Sequence, residues 1–152
     1  MVNPVEPANV CKDCKRVLEN FVPCAELYHH FLGKEVSDPD FWQVHHLTVL
    51  TYSIQHPTFL TKNGRLEMQK MLKRFIVDGL SPQQARQQFR PFVSNQNRTW
   101  KITTENVDAP SPTTQWHMTI GQIRVDNSEH YCEDIRKWAW ITLQQCMYDD
   151  AS

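Results

Sequence analysis

Glycine is scarce in this chain, with four among 152 residues. That leaves no Gly-rich loop whose backbone amides would cradle a phosphate, and the sequence also lacks a Gly-x-Ser-x-Gly elbow and a His-Glu-x-x-His pair. Nucleotide binding and the common hydrolase plans therefore lose their usual signatures. Long apolar runs are missing too: no window reaches the roughly 18 consecutive apolar residues that mark a membrane-spanning helix. Nor is there an excess of one charge. Sixteen basic residues face seventeen acidic ones for a formal net charge of -1, so no global field draws the chain to nucleic acid or an anionic membrane. The opening Met1-Val2-Asn3-Pro4-Val5-Glu6 has neither the basic segment nor the apolar run of a secretory signal.

What is present is cysteine: five residues, an odd number that cannot all pair within one chain. With no signal sequence, this predicts a cytoplasmic protein with reduced thiols. In that compartment the glycosylation-like Asn97-Arg98-Thr99 has no meaning.

One domain spanning residues 1–152 is expected at this length, large enough to bury a core without depending on a metal for all its stability. The pattern reads as mainly α, a helical bundle of about five helices. Residues 1–10, rich in Pro and Asn, are expected to be flexible. Pro23 is placed as a first-turn proline, so Cys24 opens a short helix through Glu35 with Leu27, Tyr28, Phe31 and Leu32 inward, and Gly33 could end it early. Asp38-Pro39, a capping carboxylate before a proline that needs no amide partner, starts a second helix running to about His56, because Pro57 disfavours helical geometry at the residue before it. Leu66, Met68, Met71, Leu72, Phe75, Ile76 and Val77 mark a third helix, ended by Gly79. Ser81-Pro82 begins a fourth through about Arg90.

Residues 91–125 change character, with three prolines and many Thr and Asn. They predict a long irregular excursion, with at most a short hairpin from the alternating runs 99–103 and 119–125. A loop of this size in a compact domain is often functional. A last helix is expected over 128–147 with Ile135, Trp138, Ala139, Ile141 or Thr142, and Cys146 inward. Trp138 and Trp140 stand about 200° apart on it, so one faces in while the other marks a candidate partner surface.

Cys11, Cys14 and Cys24 are the strongest pointer to chemistry. A Cys-x-x-Cys turn offers two thiolates to adjacent corners of a tetrahedron, and zinc favours such soft ligands with an imidazole as the fourth. Lys12, Asp13, Lys15 and Arg16 around the trio are too polar for a core strand, and a thioredoxin-like dithiol would need βαβ surroundings that are missing. At the start of a helix, Cys24 also has its thiolate favoured by the positive end of the dipole, which suits a ligand and a nucleophile equally.

For the fourth ligand the candidates are His56, His45 and His46. His45 and His56 share a helix face, but three turns put them roughly 16 Å apart along the axis, so they cannot share one ion. If the first two helices form an antiparallel hairpin about residue 37, Cys24 lies level with roughly residue 50 and the Cys11/Cys14 turn lies beyond it, which favours His56. A shift of one turn, about 5.4 Å, would favour His45 or His46 instead. His45, Thr48, Tyr52 and Ser53 place polar groups on or beside an otherwise apolar helix, and these need partners. His130 could meet that stripe across the bundle, making His45, Tyr52 and His130 the candidate catalytic residues of a His/Tyr pocket; the competing reading is a structural hydrogen-bond network. Cys132 and Cys146 lie roughly 21 Å apart along one helix and form no disulfide or shared site, with core packing suiting Cys146. Lys70-Met71-Leu72-Lys73-Arg74, partly balanced by Glu67 and Asp78, reads as a solvated face rather than a nucleic-acid contact.

The Cys-x-x-Cys and later Cys before a short helix, the run from Val44-His45-His46-Leu47-Thr48-Val49 through Tyr52 to Gln55-His56-Pro57, and Ser128-Glu129-His130 before Trp138-Ala139 resemble a bacterial family of small proteins of unknown function. The resemblance covers most of the chain. Family members often carry Asp where this chain has Thr51. The resemblance implies a metal-site role for Cys11, Cys14, Cys24 and the histidines and brings no established activity. The expectation is a cytoplasmic zinc-binding helical protein, its metal held by Cys11, Cys14, Cys24 and preferably His56. It would act as a binding or adaptor module for a protein partner or small molecule, without membrane or nucleic acid. The alternatives are a metal- or cysteine/histidine-dependent enzyme using His45, Tyr52 and His130, and more weakly a nucleic-acid-binding regulator. Ligand count separates the first two: four protein ligands close a site, whereas three plus water leave it reactive.

Overall fold

A computed structural model describes residues 9–87 and 112–151, with residues 59 and 149–151 described by their backbone alone. The chain is mainly helical, and no strand occurs among the described residues. Five helices are named here: α1 (Cys24–Ser37), α2 (Pro39–Trp42), α3 (His45–Gln55), α4 (Lys62–Ile76) and α5 (Ser128–Ala151). Residues 82–87 are also helical.

Local chemistry sets most of the boundaries. The Asp38 carboxylate accepts from the Asp40 amide at 2.9 Å with Pro39 in the first turn, so α2 begins where a side chain replaces a missing helical acceptor. Thr61 caps α4 by accepting from the Gly64 amide. Ser81 and Gln84 exchange side-chain and backbone hydrogen bonds, a capping box that opens the 82–87 helix. Gly79, at φ 69°, takes the left-handed position after α4, while the Leu80 amide reaches back to the Arg74 carbonyl. Asn127 caps α5 by accepting from the His130 amide at 2.8 Å.

α1 runs past Gly33 and through the expected Glu35 to Ser37. One helix expectation needs correction. The single helix expected from Pro39 to His56 is two, α2 and α3, separated at Gln43 and Val44. Val44 has φ -111° and ψ 9° and is fully buried. The break lets Phe41 and Val44 both enter the core while His45 stacks on Trp42, their ring centroids 4.2 Å apart. Of the excursion expected over 91–125, residues 91–111 lie outside the described part, as do 88–90 of the fourth expected helix and residues 1–8. Residues 112–125 are irregular, and 119–125 is no strand: Thr119 and Gln122 form a capping box around a single 3-10 turn, Ile120–Gln122.

The core gathers on one face of α5. Tyr131, Ile135, Trp138, Ala139, Thr142, Leu143 and Cys146 are buried there against Phe31, Phe41, Val44, Leu47, Ile54, Leu72, Met118 and Ile120. Phe31 and Phe41 pack on the Tyr131 ring with centroids 5.4 and 4.9 Å away. Trp138 is wholly enclosed, and truncating such a ring to Ala costs about 3–5 kcal/mol. Trp140, two residues on, is exposed beside Met147 and Tyr148 along a groove of about 850 Å³. α3 packs against both α4 and α5, so its two ends are fixed to the rest of the bundle. The Gln55 amide nitrogen locks the later end, donating to the Met118 carbonyl at 2.8 Å and to the Thr142 hydroxyl at 2.9 Å. No helix among the described residues is long and apolar enough to cross a membrane.

Candidate metal centre

The Cys11–Cys14 segment forms a tight knuckle. Its ends are joined by a bridge between Val10 and Val17, the Cys11 amide donates to the Arg16 carbonyl at 2.8 Å, and the Lys15 amide donates to the Cys11 carbonyl at 3.0 Å. Lys15 turns the chain through φ 66°, in the left-handed region. This folding turns both sulfurs of the Cys-x-x-Cys the same way, toward the start of α1, where Cys24 is the first residue. The Cys14 and Cys24 sulfurs stand 3.6 Å apart.

The fourth group comes from the end of α3. His56 leaves helical geometry at φ -125° and ψ 64°, and its Nδ1 lies 2.8 Å from the Tyr52 carbonyl. A carbonyl only accepts, so Nδ1 carries a proton and Nε2 is the ring nitrogen left to bind an ion in place of a proton. That Nε2 is buried without a hydrogen-bond partner. One ligand atom from each of Cys11, Cys14, Cys24 and His56 lies within 4.8 Å of the other three, a group that could hold a metal ion. His45 and His46 are elsewhere, so of the three histidines considered, His56 is the one beside the cysteines.

Charge within the four side chains is settled by proton sharing. Hydrogen bonds from Cys14 and Cys24 hold the Cys11 thiol far below its ordinary range, while Cys14, bonded to Cys11 and Cys24 and buried, is pushed far up. Burial works to lower the His56 imidazole, but Cys11, Cys24 and the Tyr52 carbonyl outweigh it and raise the ring to about 9. A divalent cation would take the place of these shared protons. Three thiolates, one neutral imidazole and a 2+ ion would leave one negative charge, and Arg16 is placed to offset it: its Nε donates to the Cys24 sulfur at 3.2 Å, and its second arm to the Val22 carbonyl at 2.8 Å. Donor chemistry and surroundings therefore both fit a soft-ligand cation.

Several supporting residues are invisible in the cysteine spacing. Asp13, inside the knuckle and buried, accepts from both the hydroxyl and the amide of Thr58, two residues past His56. This clamps the turn bearing two thiols to the segment bearing the imidazole. Tyr52 stacks on His56, with centroids 4.0 Å apart, and on Tyr28 at 3.9 Å, making a three-ring pile that sets the imidazole plane. Burial, followed by the nearby Cys24 and Cys11 sulfurs, pushes the Tyr52 hydroxyl up and keeps it neutral. A cleft of about 470 Å³ opens beside the cluster, lined by Cys11, Cys24, His56, Tyr28, Tyr52 and Ser53 among others.

His45, Tyr52 and His130 are not brought together. His45 donates to a fully buried Glu35 at 2.8 Å, and the same carboxylate accepts from Thr48 at 2.6 Å and Tyr131 at 2.5 Å. The polar stripe on α3 thus meets a carboxylate from α1 and a tyrosine from α5 instead of His130. His130 lies on Asp126 and Asn127 at the start of α5. Glu35 follows Phe31 by one helical turn, and that position on the apolar face was its one sequence signal. His46 packs on the Phe75 ring, His29, His30 and His117 are exposed, and none of the five cysteines is in a disulfide.

Comparison with curated proteins and with solved structures returned no match. Residues 9–147, from the knuckle through most of α5, match the model of a family of unknown function, DUF5946, and the chain belongs to that family.

Proposed function

We propose that Cys11, Cys14, Cys24 and His56 bind one zinc ion in a closed, four-ligand site whose work is structural, and that the protein is a binding or adaptor module. The observation that carries the reading is the buried, unpartnered Nε2 of His56 among three sulfurs. An imidazole nitrogen enclosed without a partner costs about 1–3 kcal/mol, and a metal bond removes that cost. Zinc suits the set because it accepts thiolates and imidazole at tetrahedral corners without a geometric demand of its own. With four protein donors no coordination position remains for water, which favours a structural ion over a reactive one. The ion would tie the knuckle, α1 and the end of α3 at one point. Five cysteines with no disulfide between them support a cytoplasmic location for such a module. The exposed Trp140 side of α5 is the face from which a module would act on a protein partner.

Elemental analysis of protein purified without chelator tests the metal claim, with about one zinc per chain expected. A wild-type protein holding only traces of any transition metal would overturn it.

A further inference from the structure

We propose that Cys11 is a modification site for small hydroperoxides, with Cys14 as its resolving partner, so that oxidation opens the metal centre. The release step rests on the zinc reading above; the order of thiol oxidation does not. Cys14, Cys24, Cys132 and Cys146 are 1%, 3%, 2% and 7% exposed, whereas Cys11 is partly open to solvent. Cys11 also lines the 470 Å³ cleft, ample room for a peroxide of a few heavy atoms. Cys24 borders the same cleft, but it is enclosed, and its sulfur is held in place by a hydrogen bond from the Arg16 guanidinium at 3.2 Å. Cys14 carries no such bond from a cation, and its sulfur lies within 4.8 Å of the Cys11 sulfur. Both belong to one knuckle, so bringing them together moves neither α1 nor α3.

The chemistry closes with the hydroperoxide as oxidant. The Cys11 thiolate attacks the outer oxygen, an S–O bond forms as the O–O bond breaks, and the alkoxide leaves with the electron pair and takes a proton from water. The Cys14 sulfur, giving up its proton or its bond to the ion, then attacks the Cys11 sulfur and displaces hydroxide, which is protonated to water. In sum, two cysteine sulfurs lose two electrons to one hydroperoxide, giving a Cys11–Cys14 disulfide, an alcohol and water. Only Cys24 and His56 remain for the ion, too few to hold it, and zinc leaves.

The test treats the full-length protein with tert-butyl hydroperoxide and follows zinc with a chromogenic chelator while peptide mapping with a sulfenic-acid trap follows each cysteine. Cys11 should be modified at least about tenfold faster than Cys132 and Cys146. One zinc should leave per Cys11–Cys14 disulfide, and a dithiol reductant with added zinc should restore both. Equal rates at all cysteines, a disulfide that omits Cys11, or zinc leaving while Cys11 stays reduced would each overturn the proposal. Protein that contains no zinc at the outset would refute the metal reading alone, because the order of oxidation is still read from the peptide map.

Discussion

The two ends of α3 each carry a histidine held through Nδ1, and their surroundings could hardly differ more. At the start, His45 donates to Glu35, whose carboxylate is also satisfied by Thr48 and Tyr131, and the imidazole side chain is 28% exposed. At the end, His56 bonds only a backbone carbonyl and turns a buried, unpartnered Nε2 toward three sulfurs. The first end is complete: the three donors and the Glu35 carboxylate satisfy one another. The second leaves a buried ring nitrogen that a cation would satisfy. The same residue type on one helix thus joins a hydrogen-bond network in one place and a group that could hold a metal ion in the other, decided by whether its partner is a carboxylate behind it or thiols in front of it.

Removing the metal should break this comparison at one end and leave the other untouched. Chelation, or Cys24→Ser, is expected to lower Tm by roughly 10–15 °C, short of complete unfolding because Cys14 and Cys24 are only the margin of a core whose bulk lies along α5. Hydrogen exchange should lose protection over residues 9–24 and keep it along α5. Loss of protection along the whole of α5 would mean that the metal end governs the entire fold.

Glu35→Ala attacks the other end. It leaves His45, Thr48 and Tyr131 without their acceptor, and removing one member of a buried charged network costs about 3–5 kcal/mol. Glu35→Gln, which keeps one acceptor oxygen, should cost less. Denaturant titration measures both, and metal content should remain at wild-type level throughout. A Glu35 variant that also lost its metal would show that the two ends are coupled.

The unequal legibility of the two ends has a physical cause. The grouping of His56 with the three cysteines was readable because Cys-x-x-Cys is a local signal and because a helix hairpin brings its far end back beside Cys24. The Glu35 end was not. A glutamate near the end of a predicted helix looks like a solvated charge, and its tyrosine partner lies 96 residues away, beyond any periodicity. The break at Gln43 and Val44 was hidden for a similar reason: nothing in the pattern stops a helix there, and core packing of Val44 and Phe41 decides it. The 119–125 run misled through its alternation, because the reciprocal bonds of Thr119 and Gln122 favour a turn over a strand.

Titration sharpens the comparison at the His45 end. Burial, then the charges of His45 and Arg136, lowers the His46 imidazole to about 4, and the ring rests on Phe75. An unfolded histidine titrates near 6.5. Between those values the unfolded chain binds the proton that the folded chain refuses, so stability falls as pH drops from about 6.5 to about 4. Discounted for the ring's partial exposure, the loss is about 1–2 kcal/mol. Denaturant midpoints taken across that range should show the slope in the wild type and a flatter one in His46→Gln. An equal slope in both would assign the acid sensitivity to other groups.

The smallest expected effect returns to the metal end, through Arg16. Gly121 lies against this side chain so closely that an added Cβ would sit 2.7 Å from the Arg16 Cδ, well inside contact distance. The arginine is not free to swing away without loss, since its Nε and terminal nitrogen are committed to the Cys24 sulfur and the Val22 carbonyl. Gly121→Ala is therefore expected to cost about 1 kcal/mol through overpacking, with Arg16 rather than the backbone giving way. Because Arg16 offsets the surplus negative charge of three thiolates, its displacement should also weaken zinc by about 10-fold, measured by competition with a chelator. Arg16→Met, which removes the charge without the crowding, should weaken zinc as much or more. If Gly121→Ala destabilises the fold while zinc affinity stays at the wild-type value, the hydrogen bond from Arg16 to Cys24 contributes to packing alone, and the charge of the centre is balanced by solvent on the cleft side.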